Sequence, residues 1–236
     1  KKKKKKEKSK KPQQKRKMCV NRHKGMRRKG HKHMIAIIDY DAGNIKSVEK
    51  AAVLLGQEAV LTRDRDEIMK ADHIILPGVG AFGDAMGNLI KYGLDVTITE
   101  AVNADIPFLG ICLGLQLLCD GSEETPGVKG LGLLHGQVLR IPEGDGRKIP
   151  QIGWNDLSFP NKGRLFDGID EGAYVYLVHS YYLMAQDRSV VTATTNYGTL
   201  MDVSVEQKNL FACQFHPEKS SGTGLKILSN FFSIRR

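Results

Sequence analysis

From position 34 onward the apolar residues fall into two alternating kinds of run. MIAIIDY is a short apolar run suited to a strand buried on both faces, EAVLT and HIIL read as a second and a third strand, and FLGI leads into a turn at Cys112. The stretches between them have helical spacing. After DAGN, the residues Ile45, Val48, Ala52 and Leu55 share one face, and Gly56 supplies a stop. DRDEIMKAD predicts a short helix, and a longer helical region runs from about Asp84 to Ala104 with breaks at Gly87 and Gly93. Strand and helix in strict alternation predict an α/β fold with a flavodoxin-like, mostly parallel, doubly wound sheet.

After Gly130 the pattern changes. HGQVLRI, QIGWNDL, AYVYLVHSYYL, SVVTATTNYG and VSVEQKNLFACQF are strand-like, and the last two suit a mixed or antiparallel portion of the sheet with a turn at QKN. GTGLKILSNFF, residues 222–232, predicts a closing amphipathic helix. No repeat or internal boundary interrupts residues 34–236, which read as one domain.

Composition changes the picture at one end only. The formal charge is +10, but residues 1–33 hold 18 Lys/Arg against the single acid Glu7, which leaves 18 basic and 25 acidic residues in the rest. The basic extension lacks aromatics and periodicity and reads as disordered. It has no apolar run of a secretory signal. It could contact a polyanion through phosphates, although an inert upstream extension, with Met34 opening the first strand, is the simpler reading. No apolar run has the length of a membrane span. Cys19, Cys112, Cys119 and Cys213 form no C-x-x-C and no metal-spaced set, so no metal or cofactor is expected, and the setting reads as reducing and cytoplasmic.

Three stretches carry candidate chemistry. In GICLGLQ, Cys112 stands between Gly110 and Gly114 where the run IPFLGI gives way to the helically spaced LGLQLLCDGSEE. This has the form of a nucleophile elbow, with cysteine in place of serine. Its glycines allow close approach at a strained turn, and the first amides of the following helix favour a thiolate and offer an oxyanion donor at Leu113. In FACQFHPEK, His216 ends a strand with Glu218 two residues on, while alternation places Cys213 in the core. A carboxylate that holds an imidazole in one tautomer makes it a competent base for a thiol. His179 competes for that role but has no acid close in sequence. In PGVGAFGD, Gly78 and Gly80 would let the Val79 amide turn toward an anion; an ordinary βα turn is the plainer reading.

Together these stretches resemble the class I, triad-type glutamine amidotransferase family. IIDYDAGNIKSV, LPGVGAFGDAM, GICLGLQLL, PQIGWNDL, YLVHSYY and QFHPEKS carry the likeness across residues 34–236. Within the family they are most similar to the glutaminase subunits of imidazole glycerol phosphate synthases of histidine biosynthesis. The resemblance implies that Cys112 attacks the side-chain amide of glutamine, that His216 handles the protons, and that Glu218 orients His216. It implies an oxyanion hole from Leu113 and the Gly78-Val79-Gly80 segment, with Val79 donating once that segment is in its active arrangement. It assigns Gln116, Glu124, Ser180 and Tyr181 to the amino-acid end of glutamine. Read from the residues alone, Gln116 could equally be an exposed helix position, Glu124 part of a solvated loop and Tyr181 core.

The resemblance also implies a partner, a cyclase subunit built as a (β/α)8 barrel, to which ammonia passes within a heterodimer. Asn44, Trp154 and Lys219 fall where the family docks that partner; a core tryptophan and a solvated lysine are the alternatives. Rival functions are the small glutaminase subunit of anthranilate or aminodeoxychorismate synthase, a γ-glutamyl peptidase of similar architecture, and polyanion binding through the basic extension.

Overall fold

The computed structural model describes residues 33–236 other than 44 and 145. The expected basic extension therefore lies outside the described residues apart from His33, and so does Asn44. His33, grouped with the extension by composition, is buried against the His73 ring.

The first half alternates as its periodicity predicts. Strand β1 (Met34–Ile38) leads to helix α1 (Ile45–Leu54), β2 (Glu58–Thr62), α2 (Arg65–Lys70) and β3 (His73–Leu76). Then come α3 (Phe82–Lys91), α4 (Leu94–Asn103), β4 (Phe108–Ile111) and α5 (Leu113–Leu117). Asp64 starts α2 by accepting the amides of Asp66 and Glu67 through its side chain, as an N-cap does. The break between α3 and α4 falls at Gly93, whose φ of 66° is left-handed. Gly87 makes no break: it is exposed inside α3, where its only cost is propensity. Helix α5 is also shorter than the spacing suggests, because the chain turns after Leu118 into the two-residue strand β5 (Gly121–Ser122).

The second half supplies β6 (Gly136–Arg140), β7 (Gln151–Asp156), β8 (Tyr174–His179), β9 (Tyr181–Ala185), β10 (Val191–Asn196), β11 (Leu200–Gln207), β12 (Leu210–Cys213) and the closing helix α6 (Ser221–Ser233). AYVYLVHSYYL is not one strand. It divides at Ser180, so that β8 pairs with β7 in a separate two-stranded sheet while β9 joins the main one.

The main sheet runs β2-β1-β3-β4-β12-β11-β9-β6-β5, with β10 against β11. Neighbours from β2 to β12 are parallel, and β11 reverses direction through a tight hairpin in which Gln207 faces Leu210. Each inner strand feeds two cores. Ile35, Ile37, Leu109, Phe211 and Cys213 face α1 and α6. Ala36, Ile38, Ile74, Phe108 and Ala212 face α2, α3 and α4. That two-sided burial is why these strands read as unbroken apolar runs. No described helix is long and apolar enough to cross a membrane.

Candidate active site

Parallel pairing brings the carboxyl ends of β1, β3, β4 and β12 to one edge. Leu76 of β3 lies opposite Gly110, and Ile111 lies opposite Cys213. The residues that follow these strands therefore meet: Tyr40 after β1, Gly78 after β3, Cys112 after β4, and Gln214 to His216 after β12. Open α/β sheets place their ligand crevices at such an edge.

Cys112 has φ 56° and ψ −112°, a conformation that costs a non-glycine residue about 1–3 kcal/mol. Its backbone is clamped on both sides. The amide donates to the Cys213 carbonyl at 2.8 Å, and its own carbonyl accepts from Leu115 and Gln116. Two glycines around the turn are required by proximity. A Cβ at Gly110 would stand 2.7 Å from Leu118 Cδ1, and one at Gly78 would stand 2.4 Å from the Tyr40 hydroxyl. The Leu113 amide belongs to the first turn of α5, where no intrahelical carbonyl can reach it.

His216 is drawn in by the end of β12. Its amide donates to Tyr176 O at 3.0 Å, and its carbonyl accepts the Ser220 hydroxyl at 2.7 Å; that hydroxyl in turn accepts from Tyr176 N. The ring is then steadied by Glu218, with Nδ1 and Oε1 2.8 Å apart and both side chains almost fully buried. Nε2 makes no conventional hydrogen bond. Burial pushes the imidazole down, yet its interactions with the Cys112 thiol and with Glu218 outweigh that and raise it to about 9. The pair is arranged so that positive charge on the ring is favoured beside the sulfur.

His179 does not compete. Burial and then the nearby His216 pull it down to about 4, although its bond to the Tyr181 carbonyl opposes them. Nδ1 meets that carbonyl at 2.8 Å, which makes Nδ1 the donor. Among the described residues no carboxylate is bonded to it.

Cys112 and His216 line a cavity of about 410 Å³ together with Val79, Gly80, Leu113, Gln116, Glu124, Ser180, Tyr181 and Lys219. The expected site residues thus converge, apart from Trp154 and the undescribed Asn44; Gly78 packs immediately behind the cavity wall. Several readings made from residue type alone are corrected. Gln116 is buried rather than exposed, with its Nε2 bonded to Tyr181 O and to Gln214 Oε1. Glu124 is tied in, since Oε2 accepts the Phe82 amide at the start of α3 at 2.8 Å. Tyr181 is only half-buried. Trp154 is 47% exposed and packs edge-on against Tyr176, so it is no core residue.

Two buried groups were not anticipated. Tyr40 donates its hydroxyl to Pro77 O at 2.9 Å, directly behind the PGVG segment. Burial, and then the neighbouring Cys112, push its phenol well above the usual range. Gln214, wholly buried, holds Nε2 3.6 Å from the Cys112 sulfur. Both lie inside stretches that carry the resemblance, IIDYDAGN and QFHPEK, but spacing does not tell a buried hydrogen-bonding side chain from a packed one. Among the described residues, no group of three His, Cys, Asp or Glu is placed to hold a metal.

A model of the family described as glutamine amidotransferase class-I matches residues 36–234. Over 202 residues the chain is 52% identical to the imidazole glycerol phosphate synthase subunit HisH of Moorella thermoacetica, covering 86% of this chain and 95% of that one. It is 45% identical over 204 residues to subunit HisH 1 of Methanococcus maripaludis, covering 85% and 100%. Among solved structures, PurLQS of Thermotoga maritima is similar with a TM-score of 0.67 and 21% identity, over 85% of this chain and 98% of the other; at that identity the likeness concerns the fold alone.

Proposed function

Because this chain belongs to the class-I glutamine amidotransferase family, we propose that it is the glutaminase subunit of an imidazole glycerol phosphate synthase. The observation that carries the reading is the buried His216–Glu218 pair facing a cysteine on a strained, glycine-flanked turn. The relatives named above support the choice within the family over the chorismate-linked alternatives.

The chemistry follows from the charges. The Cys112 thiolate attacks the side-chain carbonyl carbon of glutamine, and the oxyanion that forms is taken by the amides of Leu113 and Val79. Imidazolium at His216 gives its proton to the leaving nitrogen, which departs as ammonia and leaves a γ-glutamyl thioester. The same ring then takes a proton from water as it attacks the thioester, releasing glutamate and the thiol. Glu218 keeps the ring in register throughout. Glu124 and the Ser180–Tyr181 segment hold the amino-acid end, with the carboxylate matched to an ammonium group.

Ammonia released into water is protonated and ceases to be a nucleophile, so an acceptor subunit has to receive it. The exposed face of the β7–β8 ribbon suits that contact. Ile152 and Trp154 lie opposite Val178 and Tyr176 there, beside the cavity mouth, with Lys219 exposed at its rim. The partner is a cyclase that carries the ammonia to a ribulosyl formimino-aminoimidazole carboxamide ribonucleotide and releases imidazole glycerol phosphate and aminoimidazole carboxamide ribonucleotide. The PGVG segment makes the chain a poor glutaminase by itself until the partner and its ligand shift the segment into its active arrangement.

The test is to mix the chain with a cyclase and follow glutamate release with and without acceptor ligand. Cys112→Ala should abolish glutamine hydrolysis and leave ammonia-driven cyclisation intact. Equal glutamate release by the isolated chain and the liganded complex would remove the coupling, and failure to act with any cyclase would remove the assignment.

A further inference from the structure

The nucleophile is served by a second side chain besides its histidine. Gln116 Nε2 lies 3.2 Å from the Tyr181 carbonyl oxygen and 3.0 Å from Gln214 Oε1, and Gln214 Nε2 lies 3.6 Å from the Cys112 sulfur. Both glutamines are buried. The direction of this chain is dictated at its far end. A peptide carbonyl can only accept, so the end of Gln116 beside Tyr181 must be its NH2. The second proton of that NH2 then points at Gln214 and demands an oxygen there. Gln214 is left with its own NH2 against sulfur, and the sulfur accepts from it.

We infer that Gln214 is a further catalytic residue, whose fixed N–H donor stabilises the Cys112 thiolate, and that Gln116 is the positioning residue that locks its amide in the donating orientation. The inference rests on the glutaminase reading for its role in turnover, but the contact itself is a property of this chain.

The physical reason is the dryness of the site. A side-chain amide free to rotate could offer sulfur either its oxygen or its nitrogen, and the oxygen would oppose the anion. Pinned through Gln116 to a backbone carbonyl, Gln214 has no such freedom, so the donor is preorganised and needs no rearrangement as charge appears. Hydrogen bonds to charged groups are the strong ones, and more so out of water. The opposing contact is weak, the Val178 carbonyl 4.0 Å from the sulfur.

The Tyr181 end gives the chain a second consequence. Its carbonyl belongs to the segment proposed to hold the amino-acid end of glutamine, so substrate seated there tightens the amide that faces the nucleophile. Other titratable groups face Cys112 from each packed element: Tyr40 after β1, His216 and Cys213 at β12, and beyond His216 both Glu218 and His179. All of them are retained in the variants below.

The experiment is alkylation of the full chain by iodoacetamide as a function of pH, followed at the Cys112 peptide by mass spectrometry and needing neither glutamine nor partner. Gln214→Leu and Gln214→Met keep the volume and remove the donor. Alkylation at neutral pH should slow by about tenfold and its pH profile should move to higher pH. Gln116→Leu, which does not touch sulfur, should move the profile the same way by less. In the complex, the Gln214 variants should lower kcat with KM changed by less than about threefold, since the amide serves the nucleophile and not the ground-state substrate. A folded Gln214 variant with the wild-type alkylation profile overturns the inference and makes Gln214 a packing residue. Should neither Gln214 variant fold, an unchanged profile in Gln116→Leu overturns it instead. If the wild-type complex fails to hydrolyse glutamine while the profiles shift as stated, the function falls and the sulfur contact stands.

Discussion

Gly114 lies so close to Leu76 that a Cβ on it would stand 1.9 Å from the Leu76 carbonyl oxygen. The elbow that carries Cys112 is thus seated directly on the end of β3, and the second glycine of GICLG is there for approach and not for dihedral freedom. Gly114→Ala should drive backbone against backbone. We expect a loss of about 3 kcal/mol, at the upper end for overpacking, with glutaminase activity abolished because Cys112 moves with the turn. Urea unfolding measures the first and glutamate release the second; wild-type values for both would show that the seat is not needed.

The hydroxyl of Tyr40 holds the carbonyl of Pro77, the first residue of the PGVG segment. Tyr40→Phe leaves that carbonyl buried and unpartnered, at a cost of about 1–3 kcal/mol. The effect on catalysis should fall on kcat more than on KM, since the loosened segment supplies an oxyanion donor and does not hold the ground-state substrate. Steady-state kinetics of the complex separate the two, and a change confined to KM would count against the placement.

The histidines set a pH window for stability. His216 is raised in the fold from the ordinary 6.5 to about 9, so its stabilisation is complete below about pH 6.5 and is lost as pH rises through about 9. His73 and His179 are lowered to about 4 by burial, so theirs is complete above about pH 6.5 and is lost as pH falls through about 4. Denaturation midpoints from pH 4 to pH 10 should fall on both sides, and His216→Ala should flatten the alkaline side only. An alkaline side that survives the substitution would assign it to another group.

Trp154 presents its ring from a two-stranded ribbon beside the cavity mouth. Trp154→Ala should weaken binding to the cyclase by about 2 kcal/mol or more, the range of an aromatic anchor, while the stability of the isolated chain changes by less than about 0.5 kcal/mol. Calorimetric titration and thermal unfolding read the two quantities. Undiminished affinity would move the docking face elsewhere.

Much of this architecture was legible before any coordinates. Strand FLGI begins and ends where its apolar run does, because a parallel strand covered on both sides leaves no room for polar positions. The misreadings share a cause. Gly87 looked like a helix break and is not, since one exposed glycine costs less than the packing of Phe82, Met86 and Leu89 contributes. AYVYLVHSYYL looked continuous because alternation reports which face is buried and not which sheet buries it; only the division at Ser180 carries the Ser180–Tyr181 segment to the cavity.

The order of the elements, the glycine-flanked cysteine and the histidine two residues before a glutamate are properties of the chain itself. They follow from local rules, namely what a strand must bury, what a tight approach excludes, and which side chains can exchange a proton. The meeting of Cys112 with Gln214 and His216 is of another kind. It depends on β12 pairing with β4 after a hundred intervening residues, and on a carbonyl in a third segment orienting two amides. Periodicity has no term for which strands become neighbours, and a hydrogen-bonding polarity exists only once donor and acceptor have been brought together. Tertiary structure decided both.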